Sequence, residues 1–350
     1  MSDFIIMFLH FPHLALAIIK LIRSGLVELV LSQVSSPKAF NYAFWVVRFL
    51  VSGKIFRPAP KLEELSEIVE QLGPAYVKFG QFLATRGDLV GDDIAHALRA
   101  LQDKLPAAEL TEIKSRLHHI LRQDVDEVFV HIEPALAAAS LAQVHFAILH
   151  DQTEVAIKIL RPNIRQKFDH DLKVLSSLAS MSEFLIPATR RLRPTTVVHV
   201  LASWVQEETD LRMEAAALAQ YADQLVDMPE FVLPEPLWQY CDRELLVTTR
   251  LQGIPLTNTV EINKLNLDLA PIANSIITLF LTTATRNGVF HGDMHPGNIF
   301  LLPDGRIELV DFGLMGRIDP ATSRYLAEIL HGFLTRDYER VARLHFEAGY

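Results

Sequence analysis

The chain has 350 residues, half of them hydrophobic, and its 33 basic and 42 acidic residues give a net charge of −9. This length is enough for two lobes or domains with sizeable cores. The acidic balance of the whole chain argues against a nucleic-acid-binding protein. A single cysteine, Cys241, excludes an intrachain disulfide and a multi-cysteine zinc site, and fits a reducing compartment.

Residues 1–60 form a hydrophobic segment that we predict to be helical. Phe4–Ile19 is almost wholly apolar, and no basic residue precedes it, which argues against a signal peptide. Sixteen residues are also short for a helix that spans a membrane. Three placements stay open: a helix packed on the protein, a helix on a membrane surface, or a true span.

Residues 61–125 are predicted to form a helical extension. Apolar residues at 62, 65, 68, 69 and 72 give a helical stripe, which Gly73 and Pro74 end. A second helix then carries "YVKFGQFLATR", and a third begins near Asp92.

A strand pattern begins near residue 126, in "EVFVHI", "AQVHFAIL" and "EVAIKIL". Two strands around a tight turn, followed by a lysine in a third strand, Lys158, are typical of the start of a kinase-type nucleotide lobe. Glycines in that turn would let the backbone close over phosphates. Here we expect the turn to hold Ala137, Ala138, Ala139 and Ser140.

Two helical stretches near 166–184 and 195–225 follow, and strand pattern returns in "RELLVTTRL". Backbone groups of about Thr249 to Leu251 would then face adenine at a hinge. We predict that 126–253 is a kinase-like N-lobe with inserted helices.

Residues 254–350 are predicted to be a kinase-like C-lobe. Leu265–Arg286 has the pattern of a buried helix, apolar on most sides. A "PDG" hairpin turn, a "DFG" and two amphipathic helices come later. Since 39 residues follow Asp311, we expect this lobe to be truncated.

The strongest chemical signal is two acids and an amide at fixed spacing. Asp293 lies in "HGDMHPGN", Asn298 comes five residues later, and Asp311 opens "DFG" thirteen residues after that. Phosphoryl transfer needs positioning and neutralised charge. Asp293 would orient or deprotonate the nucleophile, and Asn298 with Asp311 would hold Mg²⁺. The spacing is that of the protein-kinase catalytic loop and its DFG.

Lys158 is expected to contact the α- and β-phosphates of ATP and to pair with an acid on a helix. The helix predicted over "WVQEETDLRMEAAALAQ" offers several acids. Glu207, Asp210 and Glu214 are spaced to share one helix face, so the partner stays open at this point.

Two departures from ordinary protein kinases argue against switching by loop phosphorylation and against a protein substrate. Gly292 precedes Asp293 where many protein kinases have arginine, and no "APE" follows "DFG".

A metal-hydrolase site in this stretch would leave Lys158 and Asn298 without a role. We expect His291 to brace the loop.

Taken together, these residues resemble the UbiB, or aarF-domain, atypical kinase-like family from about residue 60 to the end. The motifs that carry the resemblance are "KFGQ" (78–81), "AAASLAQVH" (137–145), "VAIKILRP" (155–162), "EETDLRMEA" (207–215), "HGDMHPGN" (291–298) and "DFG" (311–313).

The resemblance implies an α+β, two-lobed protein-kinase-like fold with an N-terminal helical extension, and ATP and Mg²⁺ as cofactors. It implies a KxGQ helix that packs across the active-site mouth, which favours a small or lipid-derived substrate or ATP hydrolysis. By position it assigns Glu214 as the partner of Lys158. It also assigns the family's KxGQ and ExD residues, which are Lys78, Gln81, Glu208 and Asp210. Helical geometry alone grouped Glu207, not Glu208, with Glu214.

The resemblance further implies an ATP-dependent enzyme that supports ubiquinone biosynthesis, in the cytoplasm and associated with the inner membrane. Expected partners are a lipid or quinone-precursor molecule, the membrane surface and other quinone-biosynthesis proteins, with no nucleic acid. A small-molecule kinase of the aminoglycoside or choline phosphotransferase type has a similar "HGDxHPGN" loop and remains an alternative. A nucleotide-gated, non-catalytic scaffold is the other.

Overall fold

The computed structural model describes residues 19, 62–85, 87–101, 107–138, 141–185 and 187–349. The chain divides into two compact units. The first comprises the described residues up to Ile113, with Ala135–Gln143 and Leu160–Thr209. The second comprises Lys114–Pro134, Val144–Ile159 and the described residues from Asp210 onward. The predicted N-terminal segment, apart from Ile19, lies outside the described residues, and the four-segment division of the sequence remains a proposal.

Helices occupy both units. In chain order they are α1 (Leu65–Leu72), α2 (Pro74–Ala84), α3 (Gly87–Val90), α4 (Asp92–Leu98), α5 (Leu110–Leu121), α6 (Val125–Val128), α7 (Ile164–Leu185), α8 (Pro194–Glu208), α9 (Leu211–Gln224), α10 (Thr259–Lys264), α11 (Leu269–Thr282), α12 (Pro320–Thr335) and α13 (Tyr338–Ala348). Short 3₁₀ turns lie at Leu62–Glu64, Pro187–Leu192 and Trp238–Tyr240, and a π-helical turn lies at Thr283–Asn287.

Among the described residues, the strands pair into three small sheets. They are β1 (Phe129–Ala138), β2 (Ala142–Leu149), β3 (Glu154–Leu160), β4 (Phe231–Val232), β5 (Leu245–Thr249), β6 (Ile254–Pro255), β7 (Val289–His291), β8 (Ile299–Leu301), β9 (Ile307–Leu309) and β10 (Met315–Arg317). The sheet orders are β1-β2-β3-β5, β4-β9-β8-β6 and β10-β7. Both the three strands expected between 126 and 160 and the strand expected near 245 are present.

The break between α1 and α2 follows from local backbone chemistry. Gly73 has a φ of 124°, a backbone conformation that residues other than glycine rarely adopt. Pro74 then occupies the first position of α2, where the missing proline N–H costs no helical hydrogen bond. Within α2, a β-carbon on Gly80 would lie 2.4 Å from Leu101 Cδ1 and 3.3 Å from Val69 Cγ1. The glycine of "KFGQ" therefore lets α2 pack closely in the core of the first unit.

Thr209 interrupts the helix that the sequence predicts across 195–225. The Thr209 hydroxyl donates to Val205 O at 2.7 Å, and α8 ends at Glu208. The carboxylate of Asp210 accepts from Arg212 N and caps α9. Side chains that bond the backbone locally compete with a continuous helix. The shared face predicted for Glu207, Asp210 and Glu214 is therefore wrong, because two helices carry these acids.

The buried helix predicted over Leu265–Arg286 is also wrong in extent and burial. Asn266 takes a left-handed φ of 52°, and Asp268 caps a new helix, α11, that gives way to the π-helical turn after Thr282. Leu279 is the buried residue of α11, whereas Ile277 is 58% exposed. An apolar composition is compatible with a buried helix, but it does not show whether other elements pack against that helix. Within the described part of the chain, no helix is long and apolar enough to cross a membrane.

The close contact between Gly80 and Leu101 predicts the effect of a substitution on stability. Replacing Gly80 by alanine should lower the free energy of unfolding by a net of about 1 kcal/mol, because overpacking a core outweighs the better helix propensity of alanine. Urea denaturation of the two proteins measures this. Leu101→Ala removes the nearest atom, so it should cost less in the Gly80→Ala background than alone. A stabilising Gly80→Ala would contradict the close packing.

Candidate active site

The β8–β9 hairpin brings Asn298 and Asp311 to the same end of one sheet. Ile299 pairs with Leu309, and the Val310 N–H donates to Asn298 O at 3.1 Å. The backbone next to Asp311 is therefore bonded directly to Asn298. The sequence predicted this hairpin from its "PDG" turn, in which Gly305 has a φ of 88°.

The buried Asn298 side chain is oriented by Asp293. Asn298 Nδ2 donates to Asp293 O at 3.0 Å and lies 3.4 Å from Asp293 Oδ2. This orientation leaves Asn298 Oδ1 without a donor among the described residues. A carbonyl oxygen in that state suits a hard cation.

Lys158 lies between two carboxylates of the second unit. Its Nζ is 2.7 Å from Glu214 Oε1 and 2.9 Å from Asp311 Oδ1. Lys158 extends from β3, Glu214 from the first turn of α9, and Asp311 follows β9. The other acids of the stretch are used elsewhere: Asp210 pairs with Arg212 at 2.7 Å. The partner that the resemblance assigned to Lys158, Glu214, is the one that the structure places there.

The ion pairs determine the protonation of this group. Burial opposes the charge on Lys158, but the carboxylates of Glu214 and Asp311 more than compensate and raise its pKa. The ammonium in turn lowers the pKa of Asp311 to about 2. Burial raises the pKa of Glu214, the more enclosed of the two acids. Lys158 is thus charged, and Asp311 is an anion, at neutral pH.

Asp311 adopts an unusual backbone conformation. Its φ is 62°, in the left-handed region where residues other than glycine are uncommon and where strain concentrates at functional sites. Gly313 leaves room beside it, since a β-carbon there would lie 3.3 Å from Asp311 Oδ1. Between them, Phe312 is buried with its ring 5.8 Å from that of Tyr221 on α9 and 5.2 Å from that of His291.

His291 ties the loop that carries Asp293 to the strand before Asp311. The buried imidazole accepts from Asp293 N at 3.2 Å through Nδ1, so its Nε2 donates to Val310 O at 3.0 Å. It therefore braces the loop, as the sequence suggested. The Asp293 side chain itself is 45% exposed and accessible to a reactant.

The structure describes some of the residues that the sequence predicted to contact the nucleotide. Thr249 ends β5, and its hydroxyl accepts from Glu235 N at 2.8 Å, while Leu251 follows the strand. Ala137 and Ala138 close β1, so they belong to the strand and not to the turn that the sequence predicted. Ala139 and Ser140 lie outside the described residues.

The KxGQ and ExD motifs meet in one ion pair of the first unit. Lys78 Nζ lies 2.9 Å from Glu208 Oε2, and both side chains are partly exposed. Gln81 stands one turn from Lys78 on α2. Asp210 belongs to the second unit, where it caps α9 and contacts Arg212 and Arg243.

Glu308 is a functional residue that none of the sequence motifs indicated. This residue lies in β9 and is 3% exposed, and its Oε2 accepts from Gly253 N at 2.7 Å. It joins the segment after Leu251 to the hairpin that carries Asn298. A charged residue inside the apolar run "RIELV" was the available signal. A β-carbon on Gly253 would lie 2.6 Å from Glu308 Oε2, so glycine is needed there.

The pKa of Asp311 predicts a pH dependence of stability. Its folded value of about 2 lies below the value of about 3.9 expected in the unfolded chain. The contribution to stability is therefore present above about pH 4 and lost as the pH falls toward 2. Asp311→Asn should flatten the fall of the unfolding free energy over that window, in denaturation without nucleotide or metal. Equal slopes for the two proteins would contradict the ion pair.

Loss of the Glu308 carboxylate should destabilise the second unit. Glu308→Leu removes the acceptor of the partly buried Gly253 N–H, a defect that costs about 1 kcal/mol or more. Glu308→Gln keeps an acceptor oxygen and should lose less in urea denaturation. Glu347→Leu, at an exposed helix position, is the matched control and should be near neutral. A Glu308→Leu protein as stable as the control would exclude this role.

Comparison with known proteins identifies the fold and the family. Among solved structures, the chain is similar to the protein of the Rv3197–erythromycin complex from Mycobacterium tuberculosis, at 24% identity and a TM-score of 0.50, over 81% of this chain and 72% of that one. It is also similar to the Rio2 kinase–ADP/Mg²⁺–phosphoaspartate complex from Chaetomium thermophilum, at 15% identity and a TM-score of 0.34, over 78% of this chain and 79% of that one. Residues 100–345 match the ABC1 atypical kinase-like domain. The fold is kinase-like, and because the match spans more than half of the chain, this protein belongs to the ABC1 atypical kinase-like family.

Proposed function

We propose that this protein is an ATP- and Mg²⁺-dependent atypical kinase or ATPase of the UbiB type. The observation that carries the proposal is the position of Lys158 Nζ between Glu214 and Asp311, at 2.7 and 2.9 Å. An ammonium has three donors, so two carboxylates leave one N–H for a phosphate oxygen.

The donor set fits magnesium. Asn298 Oδ1 has no donor among the described residues, and Asp311 uses one of its carboxylate oxygens for Lys158. An amide oxygen and a carboxylate oxygen are hard ligands of the kind Mg²⁺ takes alongside substrate phosphates. When bound there, the ion would neutralise charge that develops on the phosphates.

The remaining residues supply positioning. Asp293 would orient or deprotonate the acceptor. Asn298 Nδ2 donates to its backbone carbonyl at 3.0 Å and lies 3.4 Å from its carboxylate. Backbone groups from Thr249 to Leu251 would contact adenine. The sequence has alanine at 137–139, where glycine would permit positive φ angles and close approach of the backbone, so this stretch would hold the triphosphate differently and reduce transfer to a bulky acceptor.

We further propose that the physiological role is in ubiquinone or related prenyl-quinone biosynthesis at the inner membrane. The support is the motif resemblance, in which "KFGQ" and the alanine-rich stretch argue against small-molecule kinases with a similar catalytic loop. The Lys78–Glu208 pair joins a residue of the KxGQ motif to one of the ExD motif. Partners of the proposed kind are a lipid or quinone-precursor molecule, the membrane surface and other quinone-biosynthesis proteins.

The test is ATP turnover by the full chain with Mg²⁺, with and without liposomes and a phenol that resembles a quinone precursor. We expect turnover that rises with membrane and phenol and is lost in Asp311→Asn, because that change replaces an anionic magnesium ligand by a neutral amide and removes the charge paired with Lys158. Arg324→Gln, at an exposed site, serves as a control and should retain turnover.

Three other outcomes would change the conclusion. Tight ADP binding without turnover under any condition would favour the nucleotide-gated scaffold. Turnover that ignores both membrane and phenol would remove the support for a quinone role but leave an ATPase. Turnover that persists in Asp311→Asn would contradict the proposed site.

A further inference from the structure

The turn after Asp293 holds one imidazole in a defined tautomer. The Gly297 N–H donates to His295 Nδ1 at 2.9 Å, and Pro296, between them, has no N–H to offer. An imidazole nitrogen that accepts a hydrogen bond carries no proton, so in the neutral ring the proton is on Nε2. His295 thus presents an N–H donor from the far edge of its ring.

That donor faces the proposed base. His295 Nε2 lies 3.7 Å from Asp293 Oδ2, which is longer than a direct hydrogen bond. Catalytic hydrogen bonds are often long in the free enzyme and shorten when the substrate complex forms. Asn298 Nδ2 approaches the same oxygen at 3.4 Å. Among the residues that the structure describes, no donor reaches Asp293 Oδ1.

Gly297 makes this ring position possible. A β-carbon at Gly297 would lie 2.6 Å from His295 Cε1 and 2.9 Å from Nδ1. Any larger residue would displace the imidazole.

We propose that His295 is a positioning residue for Asp293, an inference that rests on the proposed phosphoryl-transfer function. When the substrate complex shortens these contacts, His295 Nε2–H and Asn298 Nδ2 donate to Asp293 Oδ2, which leaves Oδ1 as the base. Oδ1 takes the proton of the acceptor hydroxyl or water while that oxygen bonds to the γ-phosphorus. The bond from the γ-phosphorus to the β,γ-bridging oxygen breaks, and its electron pair leaves with ADP.

Three substitutions separate the two ring nitrogens. His295→Asn keeps an acceptor near Nδ1 and loses the donor at Nε2. His295→Gln places an amide nitrogen near the Nε2 position and is the conservative variant. Gly297→Ala keeps every polar group but displaces the ring. His331→Asn, at an exposed position on α12, is the matched control.

Steady-state kinetics and ADP binding by a fluorescent ADP analogue give the first readout. We expect His295→Asn and Gly297→Ala to lower kcat about ten- to a hundredfold, the usual effect of one hydrogen bond to a charged group, with KM for ATP and the ADP Kd nearly unchanged. His295→Gln should retain most of the kcat. Equal losses in His295→Gln and His295→Asn, or ADP affinity that falls together with kcat, would overturn the inference.

Nitrogen-15 NMR of the histidine ring gives a second readout that needs no turnover. We expect a proton on His295 Nε2 and a bare Nδ1 in the full chain, and loss of that signature in Gly297→Ala. A proton on Nδ1, or an unchanged ring in Gly297→Ala, would overturn the inference even if ATP turnover is observed. If the parent chain hydrolyses no ATP, the proposed function fails. The NMR measurement of the His295 tautomer still tests the arrangement of the ring independently.

Discussion

The contact between one ammonium and two carboxylates is the interaction on which the rest of the site depends. Lys158, Glu214 and Asp311 come from a strand, a helix and a loop, separated by up to 153 residues along the chain. Removal of Lys158 would leave two neighbouring carboxylates without their cation in a partly buried place, which is strongly unfavourable. The same contact lowers the pKa of Asp311 and keeps its carboxylate ionised, and the ionised carboxylate in turn holds the Lys158 ammonium in position.

Other contacts hold the elements that make this meeting possible. His291 bonds both Asp293 N and Val310 O, and Phe312 packs against Tyr221 on the helix that carries Glu214. Glu308 then joins the same hairpin to Gly253. Each of these side chains is buried or bonds to backbone, so packing and hydrogen bonds position the site within the second unit. Such positioning suits phosphoryl transfer, where catalysis rests on positioning and electrostatic stabilisation more than on covalent chemistry.

The sequence predicted elements wherever a local signal decides the structure. The α1 stripe, the Gly73–Pro74 break and the "PDG" hairpin are present because each depends on a few adjacent residues. Predictions failed where the outcome depends on contacts between residues that are far apart in the sequence. The apolar α11 is largely exposed, since helix composition does not specify what packs on it. Glu308 was missed because its acceptor role exists only once Gly253 is brought beside β9.

The sequence by itself determined the family, the catalytic-loop spacing of Asp293 and Asn298, and the strand that carries Lys158. Only the tertiary structure decided which acids those residues meet. Helical periodicity favoured a common face for Glu207 and Glu214, but α8 ends at Glu208 and α9 begins at Leu211, so the two acids lie on different helices. Glu214 reaches Lys158, while Glu208 reaches Lys78. The physical reason is that a side chain's direction depends on where its helix ends and what the next helix packs against, and neither is encoded within one helical turn.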